Sequence, residues 1–399
     1  MDTSIFEQIV LLAAIGAVVG IVARRLRLPY MAGLVIAGIV IGFLPLHVAV
    51  PFNKELLFNV LLPPLIFEAG LNINWRELRR DLLVIATYAV AGVVLSALVT
   101  AALMHAAGGW IWPAAILFGV LIAATDPVSI IATFKEAKVK GRLRLLVEAE
   151  SLFNDGTAAV GFAVAFAFAV GESPTFGSAI WQLITNAVGG GMVGALVAVL
   201  GLLVIGRTED ELAELAITTL AAFGSFWLAE YFGCSGILAS MAAGLIIGNR
   251  VGRGKRAERN QAAIMHFWEF AAFLANSIIF ILLGIALASQ SFRSSIAIIV
   301  LAIVAVLAGR AAAVYPLSAL FYRSARRVPI SSQNILFWGG LRGSLAIALV
   351  LGVPESLPYR SEMLMATFGV VAFSVFVQGW TITPLMRYQG ELPAKDRGR

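Results

Sequence analysis

The chain reads as a series of long apolar runs separated by short stretches of arginine, lysine, glycine and proline. About 20 apolar residues wound as a helix cross the roughly 30 Å hydrocarbon core of a bilayer. Runs of that kind predict an all-α polytopic membrane protein of about 13 transmembrane helices. The spans fall near 5–23, 30–46, 55–71, 82–104, 110–134, 145–170, 179–205, 212–232, 236–248, 263–288, 295–322, 332–352 and 361–386. The third and ninth are short. No segment resembles a cleavable signal peptide, so the first run is expected to stay as a span.

Charge supports this layout. With the N-terminus placed outside and the loops alternated, 24 of the 29 Lys and Arg residues fall on one side. Lys54, Arg293 and Arg360 fall on the other, and Arg310 and Arg342 lie within spans. Adding or removing one span would scramble that asymmetry. The basic side is the cytoplasmic one, which puts the C-terminus inside and makes the cell inner (plasma) membrane the expected location. The net charge of +6 is therefore an orientation signal, and no nucleic-acid partner is expected. Composition agrees: 60% of residues are hydrophobic and 13% charged, against about 25% charged in soluble proteins. One cysteine, Cys234, and three histidines exclude a disulfide framework and a zinc cluster. No cofactor is expected, and membrane lipid is the surrounding partner.

The two halves resemble each other. Ala37-Gly38-Ile39-Val40-Ile41-Gly42 closes span 2, and Ala243-Gly244-Leu245-Ile246-Ile247-Gly248 closes span 9. Spans 1–6 then correspond to spans 8–13, with span 7 as the connector. A shift of seven spans inverts the second half, and such inverted repeats typify secondary transporters with a midplane site.

Charges inside the spans point to chemistry, because each costs about 2.5–3.5 kcal/mol at a helix centre on insertion scales. Thr125-Asp126-Pro127 sits within span 5, where proline should break the helix and free carbonyls for a cation. Asp126 can offset the positive end of the half-helix that follows. Glu150-Ser151-Leu152-Phe153-Asn154-Asp155 opens span 6. Four-residue spacing puts Glu150 with Asn154 and Ser151 with Asp155, so one pair can be structural while the other faces an ion. A carboxylate and a hydroxyl are hard oxygen ligands suited to Na⁺. Burial disfavours a charged carboxylate, so a proton and a cation can compete for Asp155. Arg310 needs an anionic partner, for which Glu150 is the candidate. In span 12, Gly339-Gly340-Leu341-Arg342-Gly343 favours an unwound segment. Spans 5 and 12 would then be two broken helices crossing at the midplane. Arg342 either balances a negative half-helix end there or snorkels to the surface. Glu68 either reaches the site or marks the cytoplasmic end of a short span. Glu230, Glu269, His105 and His266 read as interface residues.

These segments resemble the NhaP-type sodium/proton antiporters of the monovalent cation:proton antiporter superfamily, which also includes the animal sodium/proton exchangers. The matching stretches are Phe67-Glu68-Ala69-Gly70, Ala124-Thr125-Asp126-Pro127, Glu150 to Gly156, Gly309-Arg310 and Gly340-Leu341-Arg342-Gly343. The resemblance implies a homodimer whose core domain, about 82–170 and 295–386, moves against a dimerisation part, about 1–71 and 179–288. Residues 387–399 would be a short cytoplasmic tail, without the long regulatory tail of the animal exchangers. It implies that Asp155 is the exchanging carboxylate, and that Ser151, Glu68 and the Thr125 carbonyl complete the Na⁺ shell. Asp126 would act through water, while Asn154 and Arg310 would hold Glu150. An Asn-Asp pair in this superfamily accompanies electroneutral one-for-one exchange.

The function expected is secondary antiport of H⁺ against a monovalent cation, Na⁺ first, with Li⁺ and K⁺ as alternatives. A cation channel or uniporter on a similar fold is the rival. An intramembrane aspartyl hydrolase would need a Gly-x-Gly-Asp context that neither Asp126 nor Asp155 has, so no enzymatic activity is expected.

Overall fold

A computed structural model describes residues 5–26, 29–44, 53–126, 131, 134, 139, 141–172, 176–205, 210–250, 255–288 and 295–392. Among the described residues the secondary structure is helix and turn, without strands. The helices are α1 (Ile5–Leu26), α2 (Tyr30–Phe43), α3 (Leu57–Asn72), α4 (Trp75–Gly108), α5 (Trp112–Leu121), α6 (Arg142–Ala169) and α7 (Phe176–Ile205). They continue as α8 (Glu211–Tyr231), α9 (Gly236–Gly248), α10 (Lys255–Ala288), α11 (Ile296–Leu320), α12 (Ile330–Trp338), α13 (Ser344–Leu351) and α14 (Arg360–Tyr388). Each predicted span contains helix, and span 12 is divided between α12 and α13. Seven of these helices are long and apolar enough to cross a membrane, and α2, α3, α5 and α9 are among the shorter apolar ones.

Caps set several boundaries. The Asn74 side chain accepts from the backbone N–H groups of Arg76 and Glu77 at the start of α4. Asp210 and Ser235 cap α8 and α9 in the same way. Glu230 is exposed, and its carboxylate accepts from the Gly236 N–H at 3.0 Å, securing the turn into α9.

The glycines flagged in the repeat do equivalent work. A Cβ on Gly38 of α2 would collide with the Ile281 carbonyl of α10, and one on Gly244 of α9 would collide with the Phe67 carbonyl of α3. Without side chains at these points the backbones touch, the close approach that small residues permit between membrane helices. Span 2 thus packs on span 10, and span 9 on span 3. These contacts exchange with each other when the two halves are swapped. α4 packs along α11, a pairing of equivalent spans.

Two polar clasps close the ends of the bundle formed by α4, α5, α6, α11 and α14. On the basic side Arg142 donates to Asp81 at 2.9 Å and to the carbonyls of Arg326 and Arg327 at 2.7 and 2.6 Å. At the opposite end the buried Trp110 indole donates to Glu362 at 2.7 Å. His105 binds the Trp110 carbonyl at 2.6 Å and stacks on Trp112, so it secures the turn between α4 and α5.

Candidate cation site

The site forms where two interrupted helices meet. α5 stops at Leu121, and residues 124–126 are non-helical. α12 stops at Trp338, and α13 restarts at Ser344 after the glycine-rich stretch 339–343. The two breaks bind each other: the Asp126 N–H donates to the Leu341 carbonyl at 2.7 Å. Most of the half-helix expected after Pro127 lies outside the described residues.

Each break supplies the charge that the other's helix ends require. Arg342 is 2% exposed, which overturns the snorkelling alternative. Its guanidinium donates to the carbonyls of Ala123 and Ala124, at 2.5 and 3.0 Å, just past the C-terminus of α5. Those carbonyls lack helical partners and carry the negative end of the helix dipole. The Asp126 carboxylate lies against Gly343, the residue that opens α13, and a Cβ there would overlap it. Among the described residues, the helix start that Asp126 meets is that of α13.

Behind the breaks runs a saturated polar chain. Arg310 grips Glu150 with two donors at 2.7 and 3.0 Å, and it also donates to the Leu336 carbonyl near the end of α12. Asn154 donates to Glu150 at 3.1 Å and to the Thr125 hydroxyl at 2.6 Å, while its own carbonyl accepts from the Thr125 N–H. The Ser151 hydroxyl lies 3.0 Å from that of Thr125. The expected pairing of Glu150 with Arg310 and Asn154 is present, and Asn154 links it to the non-helical break of span 5.

In front of the breaks is a cavity of about 290 Å³. Glu68, Thr125, Asp126 and Asp155 line it, so four of the five predicted ion-site residues come together there. The fifth, Ser151, engages Thr125 and does not line the cavity. Glu68 accepts from Asn72 at 2.6 Å. Asp155 Oδ1 is buried and has no hydrogen-bond partner among the described residues. In a low-dielectric setting such an atom is costly unless a proton or a cation joins it.

The family model for "Sodium/hydrogen exchanger, transmembrane" matches residues 10–388. This chain belongs to the sodium/hydrogen exchanger family. Among similar proteins, the exchanger is 35% identical to the Na⁺/H⁺ antiporter ApNhaP of Aphanothece halophytica, over 91% of this chain and 70% of that one. It is 32% identical to the Na⁺/H⁺ antiporter NhaH of Halobacillus aidingensis, over 97% and 98% of the two chains. Its fold matches the sodium proton antiporter MjNhaP1 of Methanocaldococcus jannaschii with a TM-score of 0.77, at 20% identity, over 98% and 99% of the chains.

Several walls of the exchanger's cavity were not read from the sequence. Tyr30, Arg144, Glu148 and Asn276 line it, and Arg144 donates to Glu148 at 2.6 Å. Glu269, read as an interface residue, stands exposed on its rim. The sequence signal for Asn276 was available: it is an amide within an apolar helix.

Proposed function

We propose that this exchanger is a secondary antiporter of the inner (plasma) membrane that trades one proton for one monovalent cation, Na⁺ first and Li⁺ or K⁺ as alternatives. The observation that carries the reading is Asp155, which lines a cavity where two helix breaks meet and whose buried Oδ1 has no hydrogen-bond partner among the described residues. The names of its relatives as Na⁺/H⁺ antiporters agree with it.

One carboxylate is enough for exchange. Asp155 holds either H⁺ or the cation, so loading one requires release of the other. Glu150 is already neutralised by Arg310, which leaves it without a role as a second exchanging charge. With Asn154 rather than a second aspartate beside Asp155, a single exchanging carboxylate favours electroneutral, one-for-one exchange. Glu68 and the Thr125 carbonyl complete the cation shell in this reading, with Ser151 supporting Thr125 from behind and Asp126 acting through water. Arg342 and Asn154 hold the two breaks in place.

Thirteen spans with the N-terminus outside and the C-terminus inside satisfy the charge asymmetry. Arg144 and Glu148 on the cavity wall adjoin the basic loops, so the cavity faces the cytoplasm. The protein works as a homodimer in which α4–α6 and α11–α14 move against α1–α3 and α7–α10. Exposed apolar faces on α1 and α7 are available to lipid and to the second copy.

Proteoliposomes test the proposal. An inward Na⁺ gradient should move protons outward with the voltage clamped. The KM for Na⁺ should rise about tenfold per pH unit on the acid limb, as competition at one site requires. A voltage-driven Na⁺ current without coupled proton movement would establish the channel instead.

A further inference from the structure

Asn276 and Ser277 are adjacent polar residues within the apolar helix α10. Successive positions turn by about 100° around a helix, so the two face different surroundings. Ser277 is fully engaged: its hydroxyl donates to the Phe273 carbonyl at 2.6 Å and meets the Tyr30 hydroxyl of α2. Gly16 of α1 lies against its Cβ. Ser277 therefore locks α1, α2 and α10 together.

Asn276 has no such duty. It is 6% exposed, and its Oδ1 has no hydrogen-bond partner among the described residues. It lines the same cavity as Asp155, Glu68 and Thr125. The stripe of α10 on that cavity is Glu269, Ala272, Phe273 and Asn276, so beyond the rim this helix offers the cavity one polar group.

An amide oxygen is a hard, neutral ligand of the kind alkali and alkaline-earth cations accept. It differs from a carboxylate in one respect that matters here: it takes up no proton in the working pH range. We infer that Asn276 coordinates the transported cation from the α10 wall, strengthening cation binding without strengthening the proton's hold on Asp155. This rests on the exchange reading above and adds a bias to it. Competition at Asp155 alone treats both substrates symmetrically, whereas Asn276 favours the metal ion. The charged groups facing the cavity are Glu68, Asp126, Arg144, Glu148, Asp155 and Glu269, and the substitutions below leave all six in place.

The test uses the full chain in proteoliposomes, with Na⁺ and Li⁺ as probes. Asn276→Leu keeps the size and removes the oxygen. Its KM for Na⁺ should rise about tenfold with Vmax within about twofold, the signature of lost cation binding in a working transporter. Measured at equal multiples of each protein's own KM, its pH profile should superimpose on that of the parent. Asn276→Ala is measured alongside, in case leucine impairs folding. For a variant that folds but turns over poorly, the midpoint of Na⁺-dependent thermal stabilisation replaces KM. An unchanged KM or midpoint in these variants overturns the role of Asn276, as does a pH profile that moves together with KM. If the parent itself shows no Na⁺-driven proton movement, the exchange reading falls, and this inference with it.

Discussion

Glu150 and Asp155 are the same chemistry five residues apart on one helix, and the fold treats them in opposite ways. Glu150 is 2% exposed and saturated, gripped by both arms of Arg310 and by Asn154. Asp155 lines a cavity, and its buried Oδ1 has no hydrogen-bond partner among the described residues. A buried carboxylate with a full set of partners is fixed in one state and serves as structure. One left short of partners must take something from solution, and in the proposed exchange it takes either a proton or a metal ion.

The largest effect should come from the bare member of the pair. Asp155→Asn should reduce exchange to that of protein-free liposomes while the protein stays monodisperse and melts like the parent. Normal transport in this variant would erase the contrast. Arg310→Ala attacks the saturated member and should destabilise the fold by about 3–5 kcal/mol, because it strands a buried charge. Thermal unfolding in detergent reads this, and a well-expressed, parent-like variant would show that Glu150 does not depend on Arg310. Removing both charges, as Glu150→Leu with Arg310→Met, should recover much of the lost stability.

Gly343→Ala probes a third carboxylate, Asp126, whose side chain occupies the space a Cβ would need. Small misplacements at a reacting site are expensive, so exchange should fall about tenfold or more with the fold intact. Unchanged turnover would mean that the position of Asp126 is unimportant. The smallest effect belongs to a carboxylate at the far end of the bundle. Trp110→Phe removes the hydrogen bond to Glu362 and should cost about 1 kcal/mol of stability, leaving the KM for Na⁺ unaltered.

Much of this was legible in the sequence because lipid is a strict solvent. Apolar runs had to be helices, and charges within them needed partners or work. Pro127 and the glycines from 339 to 343 announced the breaks, and the spacing of Glu150 and Asn154 announced their common face. What remained hidden depended on helices meeting across long sequence distances. Nothing near Arg342 in the chain reveals that its partners are the carbonyls of Ala123 and Ala124. Nothing near Asn276 reveals that it shares a cavity with Asp155. Glu269 was read by its place in its own helix, which cannot show the cavity beside it.

The glycine contacts between α3 and α9 have a mechanical consequence. Gly70 sits on the Met241 backbone and Gly244 on that of Phe67, a fit without slack on either side of Glu68. Glu68 is thereby bolted to α9, in the part proposed to stay still, while Asp155 rides on α6, in the part proposed to move. In the proposed exchange, a stroke that slid α6 past α3 would pull these two acids apart, so a cation spanning them would lose its grip on one side, and unloading would follow from displacement alone.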